Sequence, residues 1–219
     1  GVDAEIAKYA SLLSVWRNQR YANESEVAGL PMRIESNERL LAALQADAER
    51  AHAVLGSDLM VNVHGRTYRG RDEIGEVLRA TVRSGRASIS RSARDEVIGT
   101  VGTFELCVFI GRAEDEVHLF VRGASSHECR PCQTGPALHA SLVETIREIA
   151  PHRDDCAQRL ARMRSKLEGL AAELQRPFEH EDRLAALIAR QRELEAELDF
   201  GKDEVGSNAV GDVPEQIAA

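Results

Sequence analysis

Aromatic residues are scarce. The chain has 219 residues but only one Trp, three Tyr and five Phe, 4% of the total, against a hydrophobic content of 43%. So few rings argue against one thick globular core. No apolar run approaches the ~18 residues a membrane span needs. No secretory leader is visible, because the first residues already form a charged, periodic segment. The composition excludes collagen, disulfide scaffolds and a wholly disordered chain. Cys107, Cys129, Cys132 and Cys156, in a chain of intracellular character, argue for reduced thiols rather than a stapled framework, and a cytoplasmic location is expected. Residue 1 is Gly, so the chain is expected to be a piece of a longer polypeptide or to carry a cloning remnant.

What is present is a charged fraction of 29% with an apolar content dominated by Ala, Leu and Val. That mixture suits long helices that bury a narrow stripe. Counting alternately three and four from Ile6 gives Ile6, Tyr9, Leu13, Trp16, Arg20, Asn23, Val27, Leu30, Ile34, Asn37, Leu41, Leu44, Ala48, Ala51 and Leu55. Twelve of these fifteen are apolar. A 3.5-residue repeat is the pattern of a helix wound on a partner, and this one predicts a helix of roughly 75 Å at ~1.5 Å per residue. Gly29-Leu30-Pro31 should kink it, because proline lacks a donor and crowds the preceding turn.

A second seam holds Leu142, Ile146, Ile149, Arg153, Cys156, Leu160, Met163, Leu167, Leu170 and Leu174. A shorter helix over about 179–199 follows, with Leu184, Leu187, Leu194 and Leu198 on one side and Pro177 in its first turn. The polar seam residues Arg20, Asn23, Asn37 and Arg153 have two readings: local solvation near a kink or end, or control of register, since a buried Asn disfavours alternative pairings.

Between the seams the period changes to two. Leu59, Val61 and Val63 alternate as in a strand, Gly65-Arg66 turns, and Thr67-Tyr68 returns. Arg71 to Arg83 reads as a helix with Ile74, Val77, Leu78 and Val82 on its apolar face, and Ser84 to Ala93 as a loop or poor edge strand. Val97–Gly99, Phe104–Ile110 and Val117–Val121 are strands, with an acidic hairpin turn over Gly111–Glu116. Phe104, Phe109 and Phe120 lie here. The expected class is α+β: a long antiparallel coiled-coil stalk with a small ββαβββ head inserted at its tip. The segments are 1–56 for the first helix, 57–137 for the head, 138–176 for the second helix, 177–200 for a terminal helix and 201–219 for a disordered tail.

The formal charge is −8, yet eight arginines crowd one stretch of the head: Arg66, Arg69, Arg71, Arg79, Arg83, Arg86, Arg91 and Arg94. Only Asp72, Glu73 and Glu76 oppose them, a local charge of +5. Arginine suits bidentate phosphate recognition, and a basic patch on an acidic protein concentrates binding at one place. The bland alternative is a solvated helix face with arginines paired to stalk carboxylates.

His127, Cys129 and Cys132 form a Cys-x-x-Cys with a nearby His, but a closed zinc site needs four ligands, and His118, His139 and Cys107 lack the spacing to complete one. Asp115-Glu116-Val117-His118 spells a tetrad known from helicase sites, but it precedes its strand, and no phosphate loop serves it. It is read as a turn. No His-Glu-x-x-His or Gly-x-Ser-x-Gly occurs. Glu193 and Glu197 read as solvating charge. No catalytic constellation is found, and no cofactor or structural metal is expected.

Arg176-Pro177-Phe178-Glu179-His180-Glu181-Asp182-Arg183-Leu184, with Arg190-Gln191-Arg192-Glu193-Leu194-Glu195-Ala196-Glu197-Leu198-Asp199 and Lys202, resembles the C-terminal end of very large proteins of conjugative elements, plasmids and phages. These join a Swi/Snf-type or strawberry-notch-like helicase to an adenine-specific DNA methyltransferase. The head is similar in Val61-Asn62-Val63-His64-Gly65-Arg66-Thr67-Tyr68, in Arg71-Asp72-Glu73-Ile74-Gly75 and in Gly102-Thr103-Phe104-Glu105-Leu106. Ser125 to Thr134 departs from the family pattern, and none of the helicase or methyltransferase motifs is in this chain.

The resemblance implies a helicase- and methyltransferase-associated, non-catalytic module of a DNA-processing machine. Its expected partners are DNA, other domains of a larger polypeptide and, through the coiled coil, a second copy. No membrane partner is expected. The alternative is an oligomerisation or protein-interaction module that does not touch nucleic acid. An independent enzyme would need a site that the sequence does not display.

Overall fold

The computed structural model describes residues 1–89, 92–113 and 116–207. The elements are α1 (Val2–Leu55), β1 (Met60–Val63), β2 (Arg66–Arg69), α2 (Arg71–Ala87), β3 (Arg94–Val101), β4 (Phe104–Ile110), β5 (Val117–Arg122), β6 (Ser126–Glu128), α3 (Gly135–Leu174) and α4 (Glu181–Ser207). The class is α+β. The chain divides into two compact units, Gly1–Gly29 with Leu167–Ala219, and Leu30–Lys166. The long helices contribute to both. None of the described helices is long and apolar enough to cross a membrane.

The unit Leu30–Lys166 is built on an antiparallel sheet of order β2-β1-β3-β4-β5-β6. Burial alternates along β5, and along β4 except at the buried Cys107. Phe104, Leu106, Val108 and Ile110 of β4 and Val117, Leu119 and Val121 of β5 are buried on one face. They join Ala48, Ala51 and Val54 of α1, Ile74, Leu78 and Val82 of α2, and Leu138, Leu142, Ile146 and Ile149 of α3 in one core. Three helical stripes therefore share one side of the sheet, which is how a chain with few rings fills a core. Asn37 and Cys156, and Glu38 and Arg164, join α1 to α3 within this unit; Arg164 Nη2 donates to Glu38 Oε1 at 2.6 Å.

Two glycines mark close approaches. A Cβ on Gly99 would stand 1.8 Å from the Asn62 carbonyl oxygen, where the β3 register shifts between Val97 and Gly99. A Cβ on Gly75 would stand 2.4 Å from the Gly135 carbonyl oxygen, so α2 meets the start of α3 backbone to backbone.

The other unit joins the first part of α1, the end of α3 and α4. Leu184, Leu187 and Phe178 are buried, and Ile6, Tyr9, Leu13 and Trp16 are half-buried along α1. Trp16 meets Phe178 at 5.9 Å between ring centroids, and Tyr9 meets His180 at 5.1 Å. Arg183 then donates to Glu5, and Gln191 to Asp3. As the α4 side of these contacts ascends in sequence, the α1 side descends, so the two helices run antiparallel.

Several expectations need correction. The head has four strands after α2, giving ββαββββ, because the polar Ser126–Glu128 pairs with β5. Helix α2 continues through Ala87 into the stretch expected to be a loop. Gly85 is buried there, and a Cβ would come within 3.0 Å of Val117. The first hairpin turns at His64 (φ 48°) and Gly65 (φ 81°), one residue earlier than expected; two consecutive positive φ values suit a tight antiparallel turn. As expected of a kink rather than a reversal, helix α1 continues through Pro31; α3 likewise contains Pro151. Pro177 precedes α4 rather than opening it, and α4 extends to Ser207, so residues 201–207 are helical rather than a tail. The rest of the expected tail, 208–219, lies outside the described residues.

At the end of the first seam the burial passes from Ala51 to Val54 and leaves Leu55 40% exposed. The partner surface there includes the sheet. The buried Asn23 donates to Glu173 Oε2 at 3.1 Å. That interhelical bond matches the register reading, whereas Arg20 lies over the Trp16 ring and Arg153 bonds its neighbour Asp154.

Candidate nucleic-acid interface

Helix α2 begins with Asp72 and Glu73 in its first turn and ends with Arg86 in its last, matching the helix dipole. Arg79, Arg83 and Arg86 occupy positions i, i+4 and i+7, so they share one side of the helix. At ~100° per residue that side lies about a quarter turn from the face buried by Ile74, Leu78 and Val82. Arg79 is half-buried and forks onto Glu76 Oε2 at 2.6 and 3.1 Å. Among the described residues, no ion pair or hydrogen bond is formed by the guanidinium groups of the exposed Arg83 and Arg86.

The other arginines do not join this stripe. Arg66 and Arg69 lie on the edge strand β2, three residues apart, and so point to opposite faces of the sheet. Charge there guards the edge against further pairing. Arg71 opens α2 near His139, whose imidazole is held below its ordinary pKa by burial first and by the Arg71 charge second. Arg94 bonds Glu96 Oε1 at 2.7 Å and the Ser88 carbonyl at 3.1 Å, which ties β3 to the end of α2. Arg91 lies outside the described residues.

A second constellation was not anticipated. Asp47 of α1 is fully buried. Its Oδ1 accepts the Ala124 N–H at 2.7 Å; its Oδ2 accepts the Ser125 N–H and Oγ–H, both at 2.8 Å. His127 Nε2 stands 3.0 Å from Oδ2, and Arg50 Nη1 3.3 Å from Oδ1. Burial pushes the carboxyl pKa up, but the hydrogen bonds from Ala124, His127 and Ser125 outweigh it and hold it below the ordinary value.

Aspartate, histidine and serine suggest nucleophilic catalysis, but the geometry is wrong for it. Ser125 Oγ, at 3.0 Å, and Asp47 both address the same ring nitrogen, Nε2. A relay needs the base oriented through one nitrogen and acting through the other. This cluster instead pins the β5–β6 turn to α1, and a Cβ on Gly123 would come within 2.0 Å of Asp47 Oδ1. The available signal was a carboxylate set among Leu44, Ala48, Ala51 and Val54, at helical spacing on a buried face.

His127 is thereby turned to Asp47. The buried Cys129 thiol has its pKa raised to about 11, chiefly by burial, and so resists becoming the thiolate a metal needs. Cys107, Cys129, Cys132 and Cys156 are all free thiols. Among the described residues, no three His, Cys, Asp or Glu side chains gather to hold a metal ion. His118 of the tetrad lies on β5, while Asp115 is outside the described residues. Arg190 pairs with Glu193 and Glu197, in line with solvating charge on α4.

No protein-family model, curated protein or solved structure matches the chain.

Proposed function

We propose that the chain is a non-catalytic module that contacts nucleic-acid backbone through α2. One observation carries this reading: Arg79, Arg83 and Arg86 share a single side of the helix, and the two C-terminal ones are exposed and hold no carboxylate among the described residues. The Arg79–Glu76 pair does not prevent phosphate binding, because an exposed ion pair contributes only ~0–1 kcal/mol. Contacts of this kind position a duplex without reading its sequence. We place the module in the helicase–methyltransferase setting that the resemblance implies, and we read the pairing of α1 with α3 and α4 as coiled-coil scaffolding for the head. A cytoplasmic location follows from the same reading.

The test is duplex binding by the whole chain at low salt, followed by fluorescence anisotropy. Arg79→Glu/Arg83→Glu/Arg86→Glu is expected to abolish binding while leaving the circular dichroism unchanged. Binding retained in the triple variant would overturn the reading.

A protein-interaction module is the second reading. The observation favouring it is a groove of about 510 Å³ beside α1, lined in part by Leu12, Val15, Trp16 and Phe178, with Val15 63% exposed. Light scattering separates the two: self-association without duplex affinity favours the second reading.

A further inference from the structure

The face of the sheet turned away from the helices is not bare. The strand register sets its side chains in rows. Asp95 pairs with Phe109 and Phe109 with His118; Val97 pairs with Cys107, Cys107 with Phe120, and Phe120 with Glu128. Period-two alternation puts these residues on the face opposite the core. Val97 is 53% exposed, and Phe109, His118 and Phe120 are half-buried. Asp95, Phe109, His118, Phe120, Ser126 and Glu128 line a cavity of about 430 Å³.

Its charge is one-sided. Among the described residues, neither Asp95 nor Glu128 forms an ion pair with an arginine or lysine; Arg122, on the same face, is held by Glu105 at 2.8 Å, and Arg69 lies out on the edge strand β2. Phe109 and His118 stack at 22° with centroids 6.4 Å apart, presenting π surface. His118 Nδ1 is buried without a hydrogen bond among the described residues, although Glu128 Oε1 stands 3.2 Å away. That separation satisfies an ion-pair distance but not hydrogen-bond direction, so the nitrogen is left unsatisfied in a spot rich in acceptors. A buried polar atom without a partner calls for one.

We infer that this cavity binds the guanidinium of an arginine side chain carried by a partner polypeptide, with Phe109 and Phe120 taking its flat face and Asp95 and Glu128 its N–H groups. The chemistry is specific. A guanidinium has five donors and no acceptor, stacks on aromatic rings and forks onto carboxylates where an ammonium makes a point contact. The site is independent of the α2 stripe, which lies on a helix at the opposite face of the sheet.

The probe is the peptide acetyl-Gly-Arg-Gly-amide, titrated into the whole chain with the ring signals of Phe109, His118 and Phe120 followed by NMR. Saturable shifts are expected. The same peptide with citrulline, which keeps the shape and loses the charge, should bind at least about tenfold more weakly, as befits a cation held against rings and carboxylates. The exposed, isosteric pair Asp95→Asn/Glu128→Gln should lose a similar factor with its fold intact. Equal shifts from the arginine and citrulline peptides, or undiminished binding in the double variant, would overturn the assignment. So would a dimer in sedimentation that the double variant dissolves, because the occupant would then be a second copy.

Discussion

The two units of the chain solve the same problem by different means. The unit Leu30–Lys166 sets three helical stripes on a sheet and buries Val61, Ile74, Leu78, Phe104, Leu106 and Ile146 almost completely. It also buries a carboxylate and satisfies it with hydrogen bonds from the turn it restrains. The helical unit has no sheet to pack on. Its α1 stripe stays half-buried, its rings meet tilted or edge on, and ion pairs at its surface supplement the seam. Stability in the first should rest on a few irreplaceable contacts; in the second, it should be spread over many weak ones.

The largest effect is expected at Asp47. Asp47→Ala leaves two backbone N–H groups, Ser125 and His127 without their acceptor, and should cost about 3–5 kcal/mol, the range for breaking a buried charge network. Urea unfolding followed by circular dichroism measures it.

The acid limb has a definite sign. The folded Asp47 pKa lies below its unfolded value, so its stabilisation is complete above the unfolded value of ~3.9 and is lost as pH falls through the folded value. Asp47→Asn should flatten that acid-side slope. An unchanged slope would mean that the buried carboxylate does not set it.

The helical unit should respond less. Phe178→Ala removes a buried ring against Trp16 and is expected to cost about 2–4 kcal/mol, toward the low end for a site that can collapse. Trp16 is the only tryptophan, so its fluorescence reports this unit directly. The smallest effect belongs to Glu5→Gln, which breaks the exposed pair with Arg183 and should change stability by less than about 0.5 kcal/mol. A loss there as large as that of Phe178→Ala would erase the contrast between ring packing and surface charge.

The long elements were legible because their repeats are long. Fifty residues of 3.5-period leave little ambiguity about α1, and the alternation of Phe104–Ile110 sets β4 to the residue. What failed to show was decided by neighbours distant in sequence. Gly85 looks like a helix breaker until Val117 is seen against it. Ser126–Glu128 has no apolar signature, and becomes a strand because β5 offers an edge.

The Asp47 clamp was hidden for the same reason, since its partners lie 77 to 80 residues away. The basic patch was legible as composition but not as a surface. Helical spacing gathers Arg79, Arg83 and Arg86, while strand alternation separates Arg66 from Arg69 and a local bond network holds Arg94.

The functional account rests on phosphate contacts made by the α2 stripe, and salt dependence measures these directly. The slope of log K for duplex binding against log salt should be steep in the wild-type chain, and should become shallower by about 0.9 in Arg83→Gln, the amount expected for one lost phosphate contact. A slope identical in the two proteins would contradict the account.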